Sequence, residues 1–335
     1  DRAGVLKPEE DGCAVRLLCQ DHVIGGHTFK DQVIFEEDEI LKKDGRPYTV
    51  FTPYKRRWLE KFSKRDAQKW EPQSGSTFLQ AYADFPEIGD LGFSASKIQV
   101  PPYDLSSLNQ YPALRDFPAA DATSHLSPHL RFGTVSIREI VRRLKASHEV
   151  FLSELIWREF FMQILFHFPK VVHQNFNPKY NGIHWKNHED DFKRWCEGNT
   201  GYPMVDAGLR QLNASGTMHN RVRMITASFL CKNLLVDWRN GEAYFGEKLL
   251  DYELSSNNGN WQWAAGTGCD AAPYFRIFNP AEQLRKFDRD GLYVRKWIPE
   301  YGRADYPDPM IDHRFARNRA LETYKKGIEN YLPEL

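Results

Sequence analysis

One run limits what this chain can fold around more tightly than any other stretch. Residues 255–278 read Ser-Ser-Asn-Asn-Gly-Asn-Trp-Gln-Trp-Ala-Ala-Gly-Thr-Gly-Cys-Asp-Ala-Ala-Pro-Tyr-Phe-Arg-Ile-Phe. Amides and glycines at Asn257, Asn258 and Gly259 let backbone approach a flat ligand closely. The indoles Trp261 and Trp263 offer stacking surfaces and easily oxidised rings. A lone Trp-x-Trp is ordinary core. With its polar lead-in and its small residues, the whole run reads as the lining of a site for an aromatic cofactor.

The rest of the composition narrows the class. At 335 residues the chain is long enough for one large helical domain plus part of another. A hydrophobic content of 41%, with 14% aromatic residues, argues for a packed globule and against disorder. Lysines and arginines number 45 and so do the acidic residues, so a nucleic-acid partner would have to be met by a local basic patch. Five cysteines, Cys13, Cys19, Cys196, Cys231 and Cys269, have no metal-like spacing and read as reduced thiols. No apolar run reaches membrane-spanning length and no basic-then-apolar leader opens the chain, so a soluble cytoplasmic protein is expected.

Organisation changes along the chain. Residues 1–62 contain two β-type runs, Val33-Ile34-Phe35 and Tyr48-Thr49-Val50-Phe51-Thr52, the second ending at Pro53. Residues 63–105 carry Pro, Ser, Gly and Asp clusters, as an interdomain linker would. Residues 106–335 read as helical, giving a mainly α fold class. Ser136 and Glu139 form a capping-box pattern ahead of Ile137, Ile140, Val141 and Leu144. Ser153 can cap a helix ending at Phe168 before Pro169, and Thr217 can open another reaching about Trp238.

Four further constellations carry chemistry. Thr123-Ser124-His125-Leu126-Ser127-Pro128 groups three hydroxyls ahead of a proline suited to a first helical turn, which can bind a diphosphate or simply cap a helix. Helical spacing places Glu154, Trp157, Arg158 and Phe161 on one stripe, either a ligand cleft or a plain amphipathic helix with an ion pair. In Met218–Met224, Asn220, Arg223 and Met224 share a face, either a ligand lining or a solvated surface, while Val222, Ile225 and Phe229 point to the core. Asp251 and Glu253 precede the cofactor-type run, and Arg223 needs a buried partner such as Asp251. Trp195 and Trp238 are bland alone.

Together these runs resemble the flavin-binding core of the DNA photolyase and cryptochrome family, and specifically the members that repair cyclobutane pyrimidine dimers. The resemblance covers nearly all of residues 31–335 and is strongest from 150 to 300. It implies FAD, reduced in the active form, held by Tyr111, Thr123, Ser124, His125, Leu126, Ser127, Glu154, Arg158, Asn220, Arg223, Asp251, Glu253 and Asn257. Glu154 would also hydrogen-bond the base edges of the lesion while Trp157 stacks on them. Met224 and Trp263 would pack at the lesion, and Asn257 would lie beside the reactive ring nitrogen. Arg115, Arg221, Trp157, Trp263 and Arg276 would meet DNA. Trp261, Trp238 and Trp195, in that order toward the surface, would carry electrons during light-driven flavin reduction. Asn220 stands where photolyases for (6-4) photoproducts carry histidine, which argues against their acid–base chemistry. Glu253 replaces a commoner Asp.

The implied fold is a helical FAD-binding catalytic domain over 106–335, preceded by the truncated C-terminal remnant of an α/β parallel-sheet domain whose first strands would lie before residue 1. The implied activity is a carbon–carbon lyase reaction. Light excites reduced FAD, an electron passes to the dimer, the ring splits and the electron returns. The partner is UV-damaged DNA with a flipped pyrimidine dimer, acted on by a monomer. No metal is required, and the resemblance leaves the antenna chromophore unknown. The alternative is a cryptochrome-like blue-light receptor, against which stand the intact lesion-pocket residues and an end at Leu335 without a long tail.

Overall fold

A computed structural model describes residues 30, 32–68, 84 and 86–331. Cys13, Cys19 and part of the expected linker lie outside the described residues. The described chain is mainly helical. Its helices are α1 Phe51–Lys61, α2 Tyr111–Leu114, α3 Ser127–Arg131, α4 Ile137–Arg143, α5 Glu149–His167, α6 Glu189–Cys196, α7 Pro203–Ser215 and α8 Asn220–Ser228. After a π-helical turn at Phe229–Leu234 come α9 Trp238–Lys248, α10 Leu254–Ala265, α11 Pro280–Phe287, α12 Leu292–Trp297 and α13 His313–Glu329.

Two apolar cores hold these helices. The larger gathers Trp195, Met204, Leu209, Val222, Ile225, Phe229, Trp238 and Trp261 from α6 to α10. The second joins Ile34, Phe35, Tyr54 and Trp58 to Ile156, Phe160 and Phe161 of α5. α10 lies between them, and two glycines let it. A Cβ on Gly259 would sit 2.1 Å from the Phe161 ring of α5. A Cβ on Gly241 of α9 would sit 2.1 Å from the Trp261 ring. Either added methyl would force apart helices that meet at a close-packed contact.

The two β-type runs do not become strands. Among the described residues β pairing amounts to one isolated antiparallel bridge, Leu41–Pro47. Phe51 opens α1, so the second run supplies a helix N-terminus. The first run bends, and its backbone N–H groups go to a side chain rather than a ladder. Ile34 N–H donates to Glu159 Oε2 at 2.7 Å, and Phe35 N–H to Oε1 at 3.2 Å. Trp58 Nε1–H and the Tyr54 hydroxyl donate to Oε1 at 2.7 and 3.4 Å. Glu159, 3% exposed, therefore ties residues 34–35 and α1 to α5. Burial outweighs these four donors and pushes its carboxyl up to about 7.

Two helix starts and one helix end also differ from the expected ones. Ser153 lies inside α5, which begins a full turn earlier at Glu149. α8 starts at Asn220, not Thr217, because the His219 side chain caps it by accepting the Arg221 N–H. The expected helix to Trp238 is broken at Leu235, which adopts a left-handed φ of 56°, and Asp237 then caps α9. Ser136 does cap α4, accepting from Arg138 N–H at 3.2 Å. Glu139 turns instead to Arg142 and Arg143, so the box is half made.

Candidate functional site

The cofactor-type run and the α8 stripe meet across one cleft. Asn220, Arg223 and Met224 line it from α8, and Asp251, Glu253, Asn257, Trp261 and Trp263 from α10 and its approach. Val222 and Ile225 are fully buried and Phe229 nearly so, as the helical spacing requires. Arg223 Nη2 donates to both oxygens of Asp251, at 3.1 and 2.9 Å. The Ser127 hydroxyl donates to Asp251 Oδ2 at 2.6 Å, bringing the hydroxyl-rich segment to the same carboxylate. Burial alone would raise the Asp251 carboxyl, yet Arg223 and Ser127 hold it below the usual carboxylate range. Glu253 caps α10, accepting from Ser255 and Ser256 N–H at 2.8 and 2.9 Å.

Asn257 exposes a residue that reading along the chain missed. Its Nδ2 donates to the Glu242 carbonyl at 3.0 Å and to Glu242 Oε1 at 2.9 Å. With its nitrogen so engaged, the amide presents its oxygen as the free acceptor. Glu242 stands fifteen residues earlier on α9 and has no local pattern that marks it.

A second group lies along α5. Arg115 Nη1 pairs with Glu154 Oε1 at 2.6 Å, so an arginine expected at phosphate holds the expected base-edge carboxylate. Tyr111 packs edge-on against Phe151 at 5.2 Å and lies under the Arg115 guanidinium. Trp157 is half-buried; it stacks flat on Phe51 at 3.7 Å, and Phe161 is tilted against it at 5.4 Å. Arg158 Nη1 donates to the Gln32 carbonyl at 2.7 Å, and Glu253 at the cleft is the main charge acting on its guanidinium. Arg221 pairs with Asp116 at 2.7 Å and lies over Phe287 at 4.5 Å. Arg276 is exposed, and its carbonyl accepts from the buried Lys232 ammonium at 2.9 Å. Ser124 and Leu126 are buried, Thr123 is half-buried, and His125 pairs with Asp121 at 3.1 Å. α3 beyond them is only five residues, so it offers a single turn of dipole.

Comparison with known proteins agrees with this geometry. The family model for the FAD binding domain of DNA photolyase matches residues 151–305, and that for DNA photolyase matches 7–73. Deoxyribodipyrimidine photo-lyase from Alkalihalophilus pseudofirmus is 39% identical, over 90% of this chain and 73% of its own length. The Escherichia coli protein of the same name is also 39% identical, over 89% and 72%. This chain belongs to the DNA photolyase family. The crystal structure of a bacterial class III photolyase from Agrobacterium tumefaciens superposes with a TM-score of 0.84 at 36% identity, covering 96% of this chain and 77% of that one. An archaeal photolyase from Sulfolobus tokodaii, solved with two FAD molecules, gives 0.77 at 31%, covering 95% and 76%.

The cleft suits the flavin that the photolyase family implies. A guanidinium, two amides and a buried carboxylate offer donors and acceptors to the edge of a flat heterocycle, while Trp261 and Trp263 supply apolar walls. The tryptophans are arranged differently from the expected row. Trp195 is fully buried and cannot be the surface end. Its ring contacts Trp261 directly, at 6.1 Å between centroids. Trp238, also fully buried, is on α9 one turn before Gly241, the residue pressed against Trp261. Trp185 is half-buried, and its neighbours are tied beside Trp238: Lys186 N–H donates to the Leu235 carbonyl at 2.7 Å, and Asp237 N–H to Asn187 at 2.8 Å.

Proposed function

We propose that this protein is a flavin-dependent deoxyribodipyrimidine photo-lyase that repairs cyclobutane pyrimidine dimers in DNA. The observation that carries the reading is the single cleft in which Arg223–Asp251, Asn220, Asn257, Met224 and the paired indoles converge. Reduced FAD, when bound there, supplies light absorption and the electron. The chain's residues do the rest. Arg223, Asp251 and Glu253 orient the ring system, and Tyr111 with the Thr123–Ser127 hydroxyls serves the diphosphate. Glu154 meets the base edges, Trp157 and Trp263 stack on the extruded dimer, and Met224 packs against it. Extrusion is required because the reacting bond is inaccessible within the duplex. Arg115, Arg221 and Arg276 serve the phosphate backbone, and the first two must exchange Glu154 and Asp116 for it.

For flavin photoreduction the row starts at Trp261 and continues through Trp238. Its exit is Trp185 rather than Trp195, because a hole must reach solvent to be quenched. Residues 1–62 are read as the C-terminal part of the family's α/β domain, supported by the family match over 7–73. The protein works as a monomer wherever the cell's DNA lies. A cryptochrome-like receptor would share the flavin site but has no need of a lesion pocket. The deciding test illuminates purified, reduced protein with a dimer-containing oligonucleotide. Restored thymines in the light and none in the dark are expected; an unaltered dimer in both arms overturns the reading.

A further inference from the structure

Trp195 touches Trp261, yet the surface-directed row does not use it. Buried completely in α6, it meets Trp261 edge to face at 6.1 Å and Tyr244 of α9 at 5.7 Å. Phe192 and Phe245 stack on it, at 5.9 and 6.1 Å. Its indole N–H donates to the Thr226 carbonyl at 3.2 Å, which is no base. An oxidised Trp195 therefore has nowhere to send its proton and must pass the hole on.

Tyr244 is placed to receive it. The ring is half-buried, and its hydroxyl donates to Asn213 Oδ1 at 2.6 Å and lies 3.0 Å from the Cys196 carbonyl. Asn213 is exposed and borders a shallow open cleft with Glu197, Asn199 and Arg210. Water and the Glu197 carboxylate there can take a proton. Lys248 lies 5.7 Å over the Tyr244 ring, so a phenol radical cation is disfavoured and oxidation must release the proton. Burial pushes the phenol up to about 12, which keeps it protonated beforehand.

We propose that Trp261–Trp195–Tyr244 is a second electron-transfer branch that ends in a tyrosyl radical at Tyr244. The proposal rests on the flavin-photochemistry reading above. Trp261 gives one electron to light-excited oxidised FAD in the cleft, Trp195 refills Trp261, and Tyr244 refills Trp195. The phenolic proton leaves past Asn213 to water. Tyr244 has then lost one electron and one proton, balanced by the one electron delivered to FAD and the proton delivered to water. A soluble thiol returns the hydrogen atom to Tyr244 and is itself oxidised.

The test uses the full chain carrying oxidised FAD, illuminated and examined by electron paramagnetic resonance and transient absorption. Trp238→Phe closes the other outlet, so a tyrosyl signal with residual flavin reduction is expected. Adding Tyr244→Phe, which keeps the ring and its packing, should remove the tyrosyl signal; adding Trp195→Phe should remove it as well. Retention of flavin at wild-type stoichiometry verifies that each variant is folded, and Tyr244→Phe carries the test if Trp195→Phe does not fold. The branch is overturned if Trp238→Phe gives no tyrosyl signal, or if the signal survives Tyr244→Phe. Absence of any flavin photoreduction in the wild type overturns the underlying reading instead, so the two failures are distinguishable.

Discussion

At the scale of single residues the site is a matter of which charge answers which. Asp251 is nearly buried and faces Arg223 and Ser127. Asp251→Ala leaves the Arg223 guanidinium without its carboxylate, a kind of loss that costs about 3–5 kcal/mol in buried pairs. Flavin content of the purified variant should fall sharply, and a fully flavinated Asp251→Ala protein would count against this placement. Glu154→Ala should do the opposite, keeping flavin while lowering repair yield, because the role proposed for Glu154 is at the lesion. Repair at the wild-type quantum yield would remove Glu154 from the pocket. Arg221 is held by Asp116 and covers Phe287, so Arg221→Ala should weaken DNA binding and flatten its salt dependence by about one counterion. An unchanged slope of affinity against salt would exclude it from the phosphate contacts.

At the scale of elements the Glu159 staple decides how the N-terminal segment is held. The folded carboxyl lies at about 7, above its unfolded value, so the native state favours the proton. This contribution to stability is fully present below about 4.5 and is lost as pH rises through about 7. The shift corresponds to roughly 3 kcal/mol at most. Thermal melts from pH 4.5 to 7.5 should therefore fall for the wild type and stay flatter for Glu159→Gln; parallel curves would refute the staple as a titrating element. Nothing in the sequence announced this role. Glu159 sits in a helix whose stripe was legible through Glu154, Trp157 and Phe161, but its partners are about a hundred residues away or more. Glu242 is nearer, fifteen residues before Asn257, but it stands on another helix with no local pattern to mark it. The face of α8 was legible because Asn220, Arg223 and Met224 are spaced by one turn, and the Arg223–Asp251 pair followed from the need to neutralise a buried charge. Helix limits differ from the local pattern where an unexpected cap, His219, sets a start and a left-handed residue, Leu235, sets an end.

At the scale of the whole molecule, the proposed function has electrons move in two directions from one cleft, toward a lesion beside Trp157 and toward the protein through Trp261. These directions can be separated by one substitution. Trp261 is 2% exposed and wedged against Gly241, so Trp261→Phe keeps an aromatic ring but leaves part of its space empty. Large-to-small changes of this size cost about 1–3 kcal/mol, which a flavin-loaded protein of this length tolerates. Phenylalanine is much harder to oxidise than tryptophan, and Trp261 is the proposed first hop for both the Trp238 route and the Trp195 branch. Light-driven reduction of oxidised flavin should therefore collapse. Repair starts from flavin that is already reduced and sends its electron away from Trp261, so chemically reduced Trp261→Phe should still split dimers. Both measurements can be made on one preparation, by transient absorption and by an oligonucleotide assay. Undiminished photoreduction would break the electron path at its first step. Loss of repair after chemical reduction would instead make Trp261 a packing residue of the flavin cleft.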